Sequence, residues 1–212
     1  MESILQQVKI GDIIPFGNYD WRVLDLQDDK VLILTENIIE MRKYDKDRKK
    51  NWEICDLRKY LNGEFLQKFS KEQQERIEET QIINKCNPWF GTNGGSNTND
   101  KIFLLSIEEV VKYFGDSGQL INKNPNNENQ IDDQYNSMRI AKYSNETGKW
   151  WLRLSGDNKC NSAYVDDNGS ICVSGSAVSI VCIDCGFDWK NMDGRTINYD
   201  ISGVRPALWF KL

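Results

Sequence analysis

Apolar and polar positions alternate at strand spacing near both ends of the chain and follow helical spacing in parts of its middle. Residues 12–16, 21–26 and 31–35 are short apolar-rich runs. Gly17-Asn18 and Gln27-Asp28-Asp29-Lys30, residues suited to tight turns, separate them, so the pattern predicts strands and a hairpin. The continuation, residues 36–40, should leave that sheet ahead of a charged loop. From Trp52 the period lengthens: Leu57, Tyr60, Leu61 and Phe65 fall on one helical face, with a break or kink expected at Gly63. Ser70-Lys71-Glu72-Gln73 and Ser106-Ile107-Glu108-Glu109 both have the capping-box pattern. They predict helices running toward Ile77 and, through Val110, Val111 and Phe114, to a stop at Gly115. Residues 101–105 read as a buried strand. The stretch 84–100 carries too much Gly, Asn and Pro for regular elements, and 116–148, loop-rich with asparagines clustered around Pro125, is expected on the surface.

In the last third, two apolar strands bracket a polar segment. Lys149-Trp150-Trp151-Leu152-Arg153-Leu154 forms the first. In the second, Val204, Pro206, Leu208, Phe210 and Leu212 alternate with Arg205, Ala207, Trp209 and Lys211. Between them Ser, Asp, Asn, Gly and Cys dominate. Loops carried on a rigid sheet are where recognition tends to sit, so this segment reads as a display surface.

The chain has 212 residues, enough for one core-bearing domain over 1–212: strands and helices in 1–115, a loop-rich insert in 116–148, and strands with display loops in 149–212. Seven tryptophans predict an aromatic-rich core. A net charge of -5 gives no pull toward a phosphate backbone. The basic run 42–50 is diluted by two aspartates and reads as a solvated loop, so no nucleic-acid partner is expected. The polar N-terminal residues and the lack of a long apolar run imply no signal peptide and no membrane, hence a cytoplasmic protein whose six cysteines are reduced thiols.

Histidine is absent, which removes histidine triads, His-containing zinc sites and histidine general bases. Cys182-Ile183-Asp184-Cys185 has a metal or redox spacing that Cys160 and Cys172 could complete, but a second C-x-x-C is lacking and ordinary thiols come first. Asp166-Asp167-Asn168-Gly169 could offer oxygens to calcium, yet lies between apolar residues as a hairpin turn does. Arg153 and Arg205 in apolar strands suggest either an anion site or structural cations lying over tryptophan and paired with carboxylates or carbonyls. The structural reading is preferred.

Gly11-Asp12, residues 19–25 and 57–62, Ile102-Phe103-Leu104-Leu105-Ser106, Trp150-Trp151-Leu152-Arg153 and Gly203-Val204-Arg205-Pro206-Ala207-Leu208 together resemble a bacterial domain-of-unknown-function family, 6273, found in Firmicutes and their phages. The resemblance implies an α+β, C-type-lectin-like fold of mostly antiparallel sheets with a few short helices and long loops, akin to formylglycine-generating enzymes. It also implies kinship with variable proteins of diversity-generating retroelements, whose Asn codons near the C terminus are rewritten at adenines. Leu154-Ser155-Gly156 departs from the more usual Ser-Pro-Gly, and residues 180–201 are longer than usual, so the carry-over is limited to 157–176. The expected binding residues are Asp157, Asn158, Lys159, Cys160, Asn161, Ser162, Tyr164, Asp166, Ile171, Val173, Ser174 and Ser176. They would present a surface to a protein or other macromolecule, with no catalytic residue, metal or cofactor. Two alternatives stay open: an enzyme or metal-dependent catalyst using Cys182 and Cys185, and a phage structural or assembly component.

Overall fold

The computed structural model describes residues 8–46, 51–177, 181–182, 187–188 and 201–211. Strands β1 (Ile13–Phe16), β2 (Tyr19–Gln27) and β3 (Lys30–Thr35) form an antiparallel meander, with turns where the polar dipeptides stand. After Thr35 the chain crosses to a second sheet as β4 (Glu40–Lys43). Helix α1 (Asp56–Tyr60) runs into a π-helical turn over Leu61–Phe65, so Gly63 marks a local widening of the helix. Helix α2 (Lys71–Arg76) and helix α3 (Ile107–Phe114) both carry the capping boxes read from the sequence, at Ser70/Gln73 and Ser106/Glu109. Gly115 closes α3 with a φ of 116°, a region that favours glycine.

Between these helices lie β5 (Ile77–Glu78) and the pair β6 (Thr80–Ile82) and β7 (Thr98–Asp100). Residues 102–105 are buried, but the stretch 101–105 is not a strand: only Phe103 bridges to Ala207, with N–H···O bonds of 2.9 and 2.7 Å. The expected surface insert 116–148 contributes β8 (Gln130–Ile131), helix α4 (Asn136–Arg139) and the hairpin β9 (Ala141–Tyr143) and β10 (Glu146–Gly148). It also sends a fully buried side chain, Arg139, inward. Arg139 pairs with Asp133 at 3.1 Å and donates to the Gly115 carbonyl, so a polar segment becomes packable by satisfying its own charge.

The C-terminal third supplies β11 (Trp150–Ser155), β12 (Asn161–Val165), β13 (Ile171–Ala177), β14 (Val181–Cys182), β15 (Phe187–Asp188), β16 (Ile201–Val204) and β17 (Ala207–Lys211). One sheet has the order β1-β2-β3-β17-β5. The other runs β4-β16-β11-β12-β13-β8, and in it only the β11 and β16 pairing is parallel. The architecture is therefore α+β, dominated by antiparallel pairing.

The terminal alternating run is not one strand. It breaks at Arg205-Pro206, where β16 ends in the six-stranded sheet and β17 begins in the five-stranded one. Segment 30–43 makes the same crossing beside it, and the two stay bonded throughout: Ile39 N–H donates to the Val204 carbonyl at 3.0 Å, and Thr35 N–H to that of Pro206 at 3.0 Å. Proline has no N–H to offer a ladder, so it suits this corner. Arg205 holds it, buried, donating from Nε to the Thr35 carbonyl at 2.8 Å and from Nη2 to that of Glu36 at 3.0 Å. Its guanidinium lies 4.9 Å from the Trp150 ring centroid. Gly203 is needed for close approach, since a Cβ there would meet Ile38 at 2.6 Å and the Lys149 carbonyl at 2.7 Å.

Trp21, Trp52, Trp150 and Trp151 are fully buried in a core continuous between the sheets and α3. Each such ring system buries roughly 150–250 Å². At about 25 cal/mol per Å² that is about 4–6 kcal/mol of gross transfer free energy per residue. Their indole N–H groups are answered by Phe16, Asp100, Arg139 and Arg42 respectively, so burial strands no donor.

Candidate functional site: a surface of three loops

The hairpin β12–β13 places the predicted display residues. Its turn is the one expected at 166–169: Asp166 N–H donates to the Ser170 carbonyl at 2.8 Å, Gly169 N–H to that of Asp166 at 3.0 Å, and Gly169 has a φ of 87°. The opposite turn, 157–160, joins β11 to β12. There the Asp157 carboxylate accepts from Asn158 at 2.8 Å and Asn161 at 2.7 Å, and Asn158 Oδ1 accepts from the Cys160 N–H.

Strand pleating sorts the predicted residues into two groups. Asp157, Asn158 and Lys159 are exposed; Asn161, Tyr164, Asp166, Ser174 and Ser176 are half-buried. Cys160, Ser162, Ile171 and Val173, also among the expected binding residues, are buried and offer little surface to a partner. Ile171 lies opposite Val165 and Ile131, and Val165 opposite Trp150, an apolar row across four strands. Ser162 Oγ bonds to the Leu152 and Leu154 carbonyls at 3.2 Å, spanning the irregularity where β11 and β12 change register. Val173 is tied by both backbone groups, to Asn129 and Asn87.

The other face of the same rows carries Trp151, Tyr164, Cys172 and Gln130. Tyr164 meets Trp151 edge-on with centroids 6.4 Å apart, and Lys149 Nζ lies 5.3 Å over its ring while pairing with Asp166 at 3.2 Å. Burial first, and then the Cys172 thiol beside it, pushes the Tyr164 hydroxyl well above the usual tyrosine range. Tyr164 is thus a neutral, wedged side chain with one edge open.

A second loop comes alongside, through a residue that sequence reasoning left inside an irregular stretch. Asn87 is buried and uses its whole amide: Nδ2 donates to the Ser155 and Val173 carbonyls, each at 2.9 Å, while Oδ1 accepts from the N–H groups of Trp89 and Phe90. Its backbone also closes the loop on itself, with Asn87 N–H to the Thr92 carbonyl and Gly91 N–H to that of Asn87. The Thr92 hydroxyl donates to the Asp157 carbonyl at 3.0 Å, fixing this loop against turn 157–160.

A third loop, 118–129, is bonded to the second loop and to strand β13. Trp89 Nε1 donates to the Leu120 carbonyl at 2.8 Å, Lys123 Nζ lies 5.2 Å over the Trp89 ring and 5.5 Å over Phe90, and Val173 and Ser174 donate to the Asn129 carbonyl. Phe90 is 38% exposed and Ile121 83% exposed. Two aromatics inside a Gly-, Asn- and Pro-rich stretch were the available sequence signal for this surface.

Arg153 and Arg205 follow the structural reading. Arg153 forms a two-pronged ion pair with Glu109 and donates to the Leu104 carbonyl at 2.8 Å, so neither arginine is an open anion site. Burial pushes the Glu109 carboxyl up, but the Arg153 charge and hydrogen bonds outweigh it and hold it below the ordinary glutamate range. Burial raises the Cys55 thiol to about 12. Among the described residues no three acidic, cysteine or histidine side chains gather as a metal would require. The backbone of Cys182 lies in β14; its side chain and all of Cys185 lie outside the described residues. Among the described residues no helix is long and apolar enough to cross a membrane.

Residues 28–212, from the β2–β3 turn to the C terminus, match the model of a domain of unknown function, DUF6273. The chain belongs to the DUF6273 family. No curated protein and no solved structure matches it. The resemblance read from the sequence thus holds at the level of the family. The matched span contains all three loops and every residue that pins them. In this DUF6273 chain, Arg58, Trp150, Trp151 and Arg205, drawn from the resembling segments, serve to position loops and corners: Arg58, for one, binds Asp100 at 2.6 Å and the Glu53 carbonyl at 2.9 Å.

Proposed function

We propose that this DUF6273 domain is a non-enzymatic binding module that grips a protein through the surface made by loops 87–92 and 118–123 and turn 157–161. The observation that carries the reading is the fixation of these loops by Asn87, Thr92 and the Trp89 indole, which ties the loop of exposed Phe90 to Asp157 on one side and to Leu120, the neighbour of exposed Ile121, on the other. Apolar anchors next to short polar side chains, held in place before the partner arrives, suit protein recognition because little ordering entropy is lost on binding.

The return of β17 to pair with the N-terminal hairpin, and a second sheet carrying the loops, support a C-type-lectin-like topology for the domain. If the C-terminal codons are diversified, the burial pattern restricts useful variation to Asp157, Asn158, Lys159, Asn161, Tyr164 and their exposed neighbours. Variation at Ile171 or Val173 would perturb the core. A reverse transcriptase gene beside a near-copy of these codons, differing at adenines, would support this arm; buried and exposed positions varying alike would defeat it.

The binding reading is tested with a photo-crosslinking amino acid placed at Phe90, at Lys159 and, as a remote exposed control, at Ile10. Adducts to one protein from the first two positions and not the third are expected. The double variant Phe90→Ser/Ile121→Ser should then weaken that partner by at least about tenfold, one truncated anchor being worth roughly 1.4 kcal/mol. Full affinity in the variant would overturn the proposal.

A further inference from the structure

A second site lies away from the three loops. Strand β6 and the residues after it border a cleft of about 260 Å³, whose other walls come from α3, β3, β17 and β11. Four consecutive residues, Thr80, Gln81, Ile82 and Ile83, line it. A strand sends alternate side chains to opposite faces, so consecutive residues share one cavity along the strand's edge. That edge is open: β6 pairs with β7 on one side and, among the described residues, with no strand on the other.

The depth of the cleft is apolar, with buried Leu32, Phe103, Leu154 and Trp209. Its charged residues are Lys85, Arg153, Glu108 and Glu109, two of each sign, and Arg153 and Glu109 answer each other. The site therefore attracts neither a polyanion nor a bare cation. Its volume is just below the usual range for small-molecule sites, about 300–1,000 Å³.

An unpaired strand edge, an apolar floor and balanced charge together describe a receptor for backbone. We propose that this cleft takes a short extended segment of a partner polypeptide, added as a strand to the free edge of β6, with an apolar side chain seated against Leu154 and Trp209. Main-chain hydrogen bonds supply affinity in this mode and the pocket supplies selectivity. The inference uses none of the three-loop residues, so either reading can fail alone.

The test is an NMR titration of the ¹⁵N-labelled full chain with acetyl-Ala-Val-Phe-Val-Ala-amide. Saturable shifts are expected in the amides of residues 80–83 and the Trp209 indole, at concentrations up to about 1 mM. Two further peptides, N-methylated at complementary alternate positions, separate strand addition from simple apolar contact: alternate N–H groups face one edge, so one analogue should bind at least about tenfold more weakly and the other normally. Ile83→Asp, at an exposed lining position, should weaken the parent peptide by about tenfold. The proposal is overturned if residues 80–83 do not shift, if both N-methylated peptides behave alike, or if the shifts map to residues 88–92 and 157–161.

Discussion

Arg153 and Glu109 show how much of this protein is decided side chain by side chain. Glu109 caps α3 through the Ser106 N–H at 2.9 Å while clamping Arg153, so one carboxylate ties a helix to the central strand β11. Arg153→Met would leave that carboxylate without its counter-charge. A loss of about 3 kcal/mol is expected in urea unfolding, at the low end for a buried pair because part of Glu109 faces water. Glu109, Asp133 and Asp25 all titrate below the ordinary carboxylate range; burial opposes this in each, and is outweighed by Arg153, by Ser117 with Arg139, and by Lys112. A folded pKa depressed below the unfolded value of about 4 contributes stability that is fully present above pH 4 and is lost as pH falls through the folded pKa. Melting temperature should therefore be insensitive to these groups from pH 5 to 8 and fall below about pH 4, a fall that Glu109→Gln makes shallower. Thiol chemistry follows exposure in the same way. With Cys182 and Cys185 replaced by Ser, a maleimide should label exposed Cys86 first, while Cys55, buried and raised to about 12, reacts only after denaturation. Early labelling of Cys55 would contradict its burial.

At the scale of elements, local signals and tertiary demands are separable. Both capping boxes were legible because the pattern lies within four residues, and Ser106→Ala should cost about 1 kcal/mol in thermal unfolding. The β2–β3 and β12–β13 turns were legible for the same reason. Phe103 was not, because a lone bridge to Ala207 depends on a strand more than a hundred positions away in sequence. Neither was the break at Arg205-Pro206: alternation reports a strand's faces, not the sheet to which each half belongs. Asn87 joins the two levels. Asn87→Ala would deprive the buried Ser155 and Val173 carbonyls of a donor, at a cost of about 2 kcal/mol. It would also speed hydrogen exchange at Trp89 and Phe90, whose amides it accepts; unchanged exchange would show that the loop holds itself.

For the whole molecule the decisive arrangement is the bent ribbon of segments 30–43 and 201–211, which runs through both sheets and fastens one to the other. Because β17 is an interior strand, removing residues 205–212 should abolish cooperative unfolding rather than trim a terminus. A truncated chain with a sharp melting transition would show that the five-stranded sheet closes without it. The same ribbon supports the three-loop surface, whose loops rest on β11 and β13 within the sheet it braces.

Taken alone, the sequence determined the capped starts of α2 and α3, the turns that separate β1, β2 and β3, the turn at 166–169, and that tryptophan fills the interior. These follow from short-range patterns of hydrophobicity and backbone preference. Only the tertiary structure decided that Ile171 and Val173 face inward, that Trp89 is bonded to Leu120 and Thr92 to Asp157, and that the β6 edge beside the cleft is unpaired among the described residues. Such neighbourhoods are set by strand register and by contacts between distant residues, which no local periodicity encodes.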